Sequence, residues 1–149
     1  MVVIDLVKEV STNPQTLLET LLEHEQLSRF FNATFIVERE SDEGEIAGGK
    51  GCRRQVTTLG QTFSEEILKA DLSGITYRIV GSKPLKHHLG RIVFETHGDK
   101  TLISYHIKGI APNHLPNFLV KFFIKRDINC ALKKLATYFE KNKAPALTT

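Results

Sequence analysis

The chain has 149 residues, of which 41% are hydrophobic and 25% are charged, and it carries a net charge of +3 and two cysteines. This length and composition suit a single globular domain with a buried core and exclude a disordered chain or a disulfide-stapled mini-protein. Residues 1–10 lack the basic start of a secretion signal, and no segment has the roughly 20 apolar residues of a membrane-spanning helix. We therefore expect a cytoplasmic protein with reduced thiols.

The first 31 residues predict one strand followed by two short helices. Residues 2–10 are rich in Val and Ile, which is typical of a strand. A small polar residue among 11–13 can cap a helix, Pro14 fits its first turn, and leucines then recur at helical spacing. A second short helix is predicted over residues 24–31.

The apolar period changes to two after residue 33, which indicates a series of strands. Turns that contain Gly or Asp separate these segments at roughly ten-residue spacing. Short strands with such tight links favour an antiparallel meander over parallel βαβ units. The predicted strands cover residues 34–40, 51–59, 62–70, 74–81, 88–97 and 101–110.

The last predicted element is a long amphipathic helix with Asn113 as its cap and Pro116 in its first turn. Its apolar residues recur at three- and four-residue spacing and are expected to form one stripe. Only this helix is long enough to cover the apolar face of the meander. We therefore predict an α+β fold, in which a curved antiparallel sheet of about seven strands wraps around a long C-terminal helix. The predicted domain covers residues 1–141, and a flexible tail covers 142–149.

Several strings, in this order, resemble the START/polyketide cyclase/dehydrase-like superfamily (SRPBCC), which includes plant pathogenesis-related allergens. They are GGKGCRRQV at 48–56, the segment Ile75-Thr-Tyr77, and GDKTLISYHI before Ala111-Pro112. The resemblance covers residues 2–141. Many members have Trp residues where this chain, which has none, has phenylalanine or tyrosine. The resemblance implies a helix-grip fold with an internal cavity, but no shared catalytic motif.

Strand alternation predicts which side chains face such a cavity. The polar residues with inward parity stand out, because a buried charge costs several kcal/mol unless it is paired or serves a ligand. A bulge that shifts the register, or strand ends open to water, would explain them without a ligand. The candidate ligand-binding set is Lys8, Phe35, Arg54, Glu65, Ile67, Tyr77, His88, Ile92, Phe94, Tyr105, Phe118 and Phe122.

These features predict binding or transport of a hydrophobic small molecule of lipid, polyketide or isoprenoid type. The alternative is a cyclase, dehydrase or hydrolase that uses Glu65 or His88 as an acid or base. No cofactor is expected. No metal site is expected either, because His87 and His88 point to opposite faces of a strand and no HExxH or CxxC motif occurs.

Acidic residues predominate in residues 1–49 and basic residues in 50–149. Such asymmetry can indicate an anionic partner, but we favour attraction between the two parts of one domain, so no nucleic-acid partner is expected. The apolar and basic start of the C-terminal helix leaves a transient membrane contact open. Exposed edge strands leave both a monomer and a homodimer open.

Overall fold

A computed structural model describes residues 1–142 of the chain. The predicted fold class is confirmed, including all seven strands and the two short helices after the first of them. The elements in chain order are β1 (Val2–Val10), α1 (Pro14–Leu22), a 3₁₀ helix (His24–Arg29), β2 (Thr34–Arg39), β3 (Arg53–Thr58), β4 (Gln61–Asp71), β5 (Gly74–Val80), β6 (Lys86–His97), β7 (Lys100–Ile110) and α2 (Asn117–Lys141).

All seven strands form one antiparallel sheet in the order β1-β7-β6-β5-β4-β3-β2. Six strands are therefore sequential neighbours, as in a meander. The exception is β1, which pairs with β7. Because β1 pairs with β7, the helix α2 that follows β7 lies beside β1, and it contacts this strand more than any other.

Local sequence explains the corner between β1 and β2. The Asn13 side chain accepts a hydrogen bond from the Thr16 N–H at 2.8 Å, and Pro14 lies in the first turn of α1, where an N–H has no helical partner. Leu17, Leu18 and Leu21 are buried beneath the corner. The short helices thus close one end of the space between the sheet and α2.

The start of α2 differs from the prediction. Asn113 does not cap the helix, because Pro116 occupies the cap position with an extended backbone and the first helical residue is Asn117. The Leu115 N–H instead donates to the Pro112 carbonyl in a preceding turn. A residue before proline is disfavoured in helical geometry, so Leu115 cannot easily begin the helix.

The expected continuous apolar stripe on α2 is wrong for its first two turns. Phe118 is 73% exposed and Phe122 is 58% exposed, and Leu119 and Phe123 are also exposed. Lys121 lies seven residues before the buried Ile128, which places the lysine within about 20° of it around the helix. The stripe therefore contains a charge here, and the exposed side chains of Phe118 and Phe122 lie about 60° and 100° around the helix from Lys121.

No helix within residues 1–142 is long and apolar enough to cross a membrane. The predicted flexible tail at 142–149 lies outside the described residues, except for Asn142, which caps the end of α2.

Candidate ligand-binding cavity

A space of about 180 Å³, here called the main cavity, lies between the concave face of the sheet and α2. Its polar lining comes mostly from Arg54, Glu65, His88 and two tyrosines, and the remaining wall is mainly apolar. The apolar wall consists of Phe31, Ala33, Phe35, Val56, Phe63, Ile79, Pro84, Leu85, Ile107, Ile124 and Ile128.

A second space of about 30 Å³, the inner cavity, lies deeper, beside the short helices. It shares Phe31, Arg54, Tyr77 and Tyr105 with the main cavity, so these side chains stand between the two. The inner cavity is large enough for a water molecule or two and too small for an organic ring.

Arg54 and Glu65 form a buried ion pair on this face of the sheet. They are directly opposite each other on β3 and β4, and each residue is only 8% exposed. Arg54 donates to Glu65 Oε1 from Nε at 2.9 Å and from Nη2 at 2.7 Å. Burial is the largest influence and lowers the pKa of Arg54, but the charge and hydrogen bond of Glu65, together with Tyr77 and Tyr105, leave that pKa raised overall. The guanidinium therefore stays charged.

Aromatic rings hold the guanidinium from two sides. Its central carbon lies 5.1 Å from the centre of the Phe35 ring and 5.2 Å from that of Tyr77. Cation–π contacts of this kind strengthen when they are desolvated. The charge of Arg54 is thus satisfied by protein groups alone.

His24 completes the network from the 3₁₀ helix. Its Nε2 lies 2.8 Å from the Gly48 carbonyl and its Nδ1 lies 3.0 Å from Arg54 Nη1. Since a carbonyl only accepts, Nε2 carries the proton and Nδ1 accepts from Arg54. Burial, and then the charge of Arg54, lower the pKa of His24 to about 4, so the ring is neutral at pH 7.

Gly48 makes this contact geometrically accessible. Its φ of +78° is in the left-handed region, and a Cβ there would lie 2.6 Å from the Leu22 carbonyl oxygen. A side chain at this position would therefore collide with the backbone of α1 and strain the turn that presents the carbonyl to His24. The glycine-rich turn before β3 therefore serves to position a side chain of the site.

The hydroxyl groups of Tyr77 and Tyr105 are hydrogen-bonded to each other in the interior. Tyr77 is on β5 and Tyr105 is on β7, with Gly90 of β6 between them. A Cβ on Gly90 would lie 2.3 Å from Tyr77 Cζ, so only glycine lets the ring cross β6. Burial raises the pKa of Tyr105 to about 12, and burial also raises the pKa of Tyr77 well above its usual value. Both phenols are neutral.

His88 turns inward where β6 is irregular between Lys86 and Leu89, while its neighbour His87 is exposed. The Ile79 N–H donates to His88 Nδ1 at 3.1 Å, so the proton of the neutral ring is on Nε2. Burial, and then the charge of Arg54, lower the pKa of His88 to about 4. His88 is therefore a neutral hydrogen-bond donor at pH 7.

Two buried polar side chains of the main cavity, Glu65 and His88, each leave one atom open to a ligand. Both hydrogen bonds from Arg54 reach Glu65 Oε1, and within residues 1–142 no protein donor reaches Oε2. His88 Nε2 likewise has no partner among the described residues. Both residues line the main cavity, where they offer one buried acceptor and one buried donor; the exposed side chains of Asn32 and Asp127 also line it.

The exposed start of α2 borders a third space, here called the outer groove. It has a volume of about 770 Å³, and it adjoins the main cavity through four shared residues, Thr58, Pro84, Ile124 and Asp127. The other lining residues are Leu59, Gln61, Ser82, Lys83, Lys86, Pro112, Asn113, His114, Leu115, Leu119, Val120 and Phe123.

The structure brings together eight of the twelve predicted site residues. Phe35, Glu65 and His88 line the main cavity, Ile67 and Ile92 the inner cavity, and Arg54, Tyr77 and Tyr105 line both.

The other four lie elsewhere. Phe94 is buried but lines neither cavity, and Lys8 is half-buried on β1, away from both. Phe118 and Phe122 are exposed and do not face the sheet, so their predicted orientation is wrong. The prediction missed His24, although its position three residues from both Leu21 and Leu27 places it on the buried side of the corner.

Within residues 1–142, no group of three His, Cys, Asp or Glu side chains is arranged to hold a metal ion. The polar residues of the main cavity are instead arranged in pairs. This arrangement suits hydrogen bonding to an organic ligand.

Solved structures share this fold at low sequence identity. A START superfamily protein from Mycobacterium smegmatis has a TM-score of 0.78 at 16% identity, over 95% of this chain and 99% of that one. Ara h 8.0201 has a TM-score of 0.69 at 16% identity, over 94% and 98%. The Aha1 dimer from Colwellia psychrerythraea has a TM-score of 0.71 at 15% identity, over 97% and 100%.

No curated protein sequence matches the chain significantly. A family model, described as polyketide cyclase / dehydrase and lipid transport, matches residues 1–140. This match covers both cavities and nearly all of the described structure. The chain therefore belongs to the polyketide cyclase/dehydrase and lipid-transport family.

Proposed function

We propose that the chain is a cytoplasmic binding or carrier protein for a small hydrophobic molecule, which it holds in the main cavity. The observation that carries this proposal is the cavity itself, about 180 Å³ of mainly apolar wall with a few converging polar groups. Binding sites for small molecules commonly combine these two features. An apolar cavity of roughly 150 Å³ is enough to bind benzene, so a six-membered ring is an appropriate occupant.

An enzyme of the cyclase or dehydrase kind is the second candidate, because Glu65, His88 and two tyrosines line the same cavity. General acid–base catalysis works best when the pKa of the group is close to the working pH. The pKa values of His88, about 4, and Tyr105, about 12, lie on opposite sides of neutrality and far from it. This environment favours holding a ligand over transferring protons.

Native mass spectrometry of protein purified without detergent tests the proposal. We expect an additional mass that is released when the protein is denatured in organic solvent. Unmodified chain alone, together with no binding from a panel of small apolar compounds, would contradict the proposal.

A variant that fills the cavity provides the matched test. Val56 lines the main cavity and is 4% exposed, whereas its neighbour Thr57 is exposed. We expect Val56→Trp to abolish ligand binding and Thr57→Trp to preserve it. Equal binding by both variants would place the ligand outside the main cavity.

A further inference from the structure

The main cavity and the outer groove adjoin, and they differ in chemistry. The main cavity contains the unpartnered Glu65 Oε2 acceptor and the His88 Nε2 donor. The outer groove has an apolar wall that includes Leu119 and Phe123 of α2. A ligand that occupied both would therefore have a polar end inside and an apolar end outside.

We propose that the two spaces form one site for an amphiphile, with a hydroxyl-bearing ring in the main cavity and an alkyl chain in the outer groove. This inference rests on the proposed function and specifies the class of its ligand. The ligand's own chain is the occupant of the groove, because the groove is concave and shares Thr58, Pro84, Ile124 and Asp127 with the cavity.

The hydrogen-bonding groups select the ring substituent. Glu65 and His88 are near each other, because Ile79 pairs with Glu65 and its N–H donates to His88 Nδ1. A hydroxyl group has both functions that the two open atoms need, since it can donate to Glu65 Oε2 and accept from His88 Nε2. A carboxylate would face the carboxylate of Glu65, whose partner Arg54 is already committed to the ion pair and to His24. An ammonium group could donate to Glu65 but could not accept from His88. The site therefore fits a neutral alcohol or phenol.

The position of the ligand's alkyl chain follows from the fact that only one side of α2 lines the outer groove. Leu119, Val120, Phe123 and Ile124 line the groove, whereas Phe118 does not. Leu119 and Phe123 are 36% and 47% exposed, so an alkyl chain laid against them would remove apolar surface from water. Phe118, at 73% exposure on the same helix, serves as the matched control.

Isothermal titration with 4-ethylphenol, 4-butylphenol and 4-hexylphenol tests the inference, with alkylbenzenes of the same chain lengths as controls. We expect Kd to fall with each methylene by up to about fourfold. We expect the alkylbenzenes to bind at least about tenfold more weakly, because they leave both polar atoms unsatisfied. The double variant Leu119→Ala/Phe123→Ala should lose the dependence on chain length and keep its affinity for 4-ethylphenol. Phe118→Ala should match the unmodified protein throughout.

Each contrary result has a distinct meaning. Equal affinity for all three phenols would mean that the alkyl chain does not lie in the outer groove, and it would leave the proposed function intact. Alkylbenzenes that bind as tightly as the phenols would overturn the hydroxyl preference. If Phe118→Ala removed the dependence of Kd on alkyl-chain length as fully as the double variant does, the alkyl chain would bind outside the groove. If the double variant lost binding to anionic vesicles and not to hexylphenol, the groove would be a membrane contact and the inference would be wrong. If no compound bound and no native ligand were found, the proposed function itself would fail.

Discussion

The two ends of α2 meet the sheet in different ways. In the second half, Ile128, Ala131, Leu132, Leu135 and Phe139 are buried against the sheet and the short helices. In the first two turns, the large apolar side chains are exposed and border the outer groove or solvent. One helix thus closes the interior at one end and leaves it open at the other.

This difference divides the helix into a structural half, which packs in the interior, and an open half, whose large apolar side chains are exposed. The structural half packs on a polar network that is almost fully satisfied by protein groups. The open half exposes a contiguous apolar surface, which monomeric soluble proteins seldom retain without a use. If the two ends differ in energy as they differ in packing, changes of solvent and of single side chains should affect them unequally.

Acidification should produce the largest effect, and it should act on the two buried histidines, His24 beside the short helices and His88 in the main cavity. Burial holds the pKa values of His24 and His88 at about 4, against 6.5 for an ordinary histidine. The unfolded chain therefore binds more protons between pH 6.5 and 4, so the free energy of unfolding decreases as the pH falls through this range. Each histidine should account for a loss of roughly 3 kcal/mol in the free energy of unfolding as the pH falls from above 6.5 to about 4.

Urea denaturation at pH 7 and pH 4 measures this loss. The variant His88→Gln should reduce it, whereas His114→Gln, at an exposed position, should leave it unchanged. The same pH dependence in both variants would contradict the buried, neutral state of His88.

Breaking the buried ion pair should have the next largest effect. Arg54→Met leaves Glu65 buried without its partner and should lower the free energy of unfolding by about 3–5 kcal/mol. The double variant Arg54→Met/Glu65→Leu should recover most of this loss, because no unpaired charge remains. Chemical denaturation of the unmodified protein and the two variants measures both changes in the free energy of unfolding. A double variant that is no more stable than Arg54→Met would count against the pairing.

Truncation of matched side chains along α2 should separate its two ends directly. Leu135→Ala removes a side chain that is 3% exposed and should cost about 2–5 kcal/mol. Phe118→Ala removes a larger side chain at an exposed position and should change the free energy of unfolding by less than about 0.5 kcal/mol. Similar costs in thermal or urea denaturation would mean that both ends pack equally.

A single methyl group at Gly90 should disturb the tyrosine pair. Gly90→Ala places a Cβ against the Tyr77 ring and should cost about 1–3 kcal/mol, as overpacking does. The near-ultraviolet circular dichroism of the tyrosines should change as well. Gly98→Ala, at an open turn with nothing near the added carbon, is the control for the tyrosine signal. An unchanged spectrum in Gly90→Ala would contradict the crossing of β6 by Tyr77.

The periodicity of apolar residues in the sequence was sufficient to predict the fold and part of the candidate site. Alternation along β3, β4 and β6 placed Arg54, Glu65 and His88 on the inward face, because side chains in a strand alternate strictly. The ion pair itself required the register of β3 against β4, which alternation does not specify. His24 was missed because its Arg54 contact spans 30 positions in the chain.

The helix shows where periodicity misleads. Three- and four-residue spacing made Phe118 and Phe122 part of one stripe, although Lys121 lies in line with Ile128 and the phenylalanines do not. The cavities were beyond prediction for a different reason. A void depends on how far the helix stands from the sheet, and that distance has no signature in the order of residues.

Methyl chemical shifts of ¹³C-labelled isoleucine, recorded while 4-ethylphenol is added, test the central claim most directly. Ile79, Ile107 and Ile128 line the main cavity, whereas Ile36 and Ile46 are 56% and 41% exposed and lie outside it. A small molecule held between the sheet and α2 should shift the first three signals to saturation and leave the other two in place. Unchanged signals from Ile79, Ile107 and Ile128 at saturating ligand would contradict the claim.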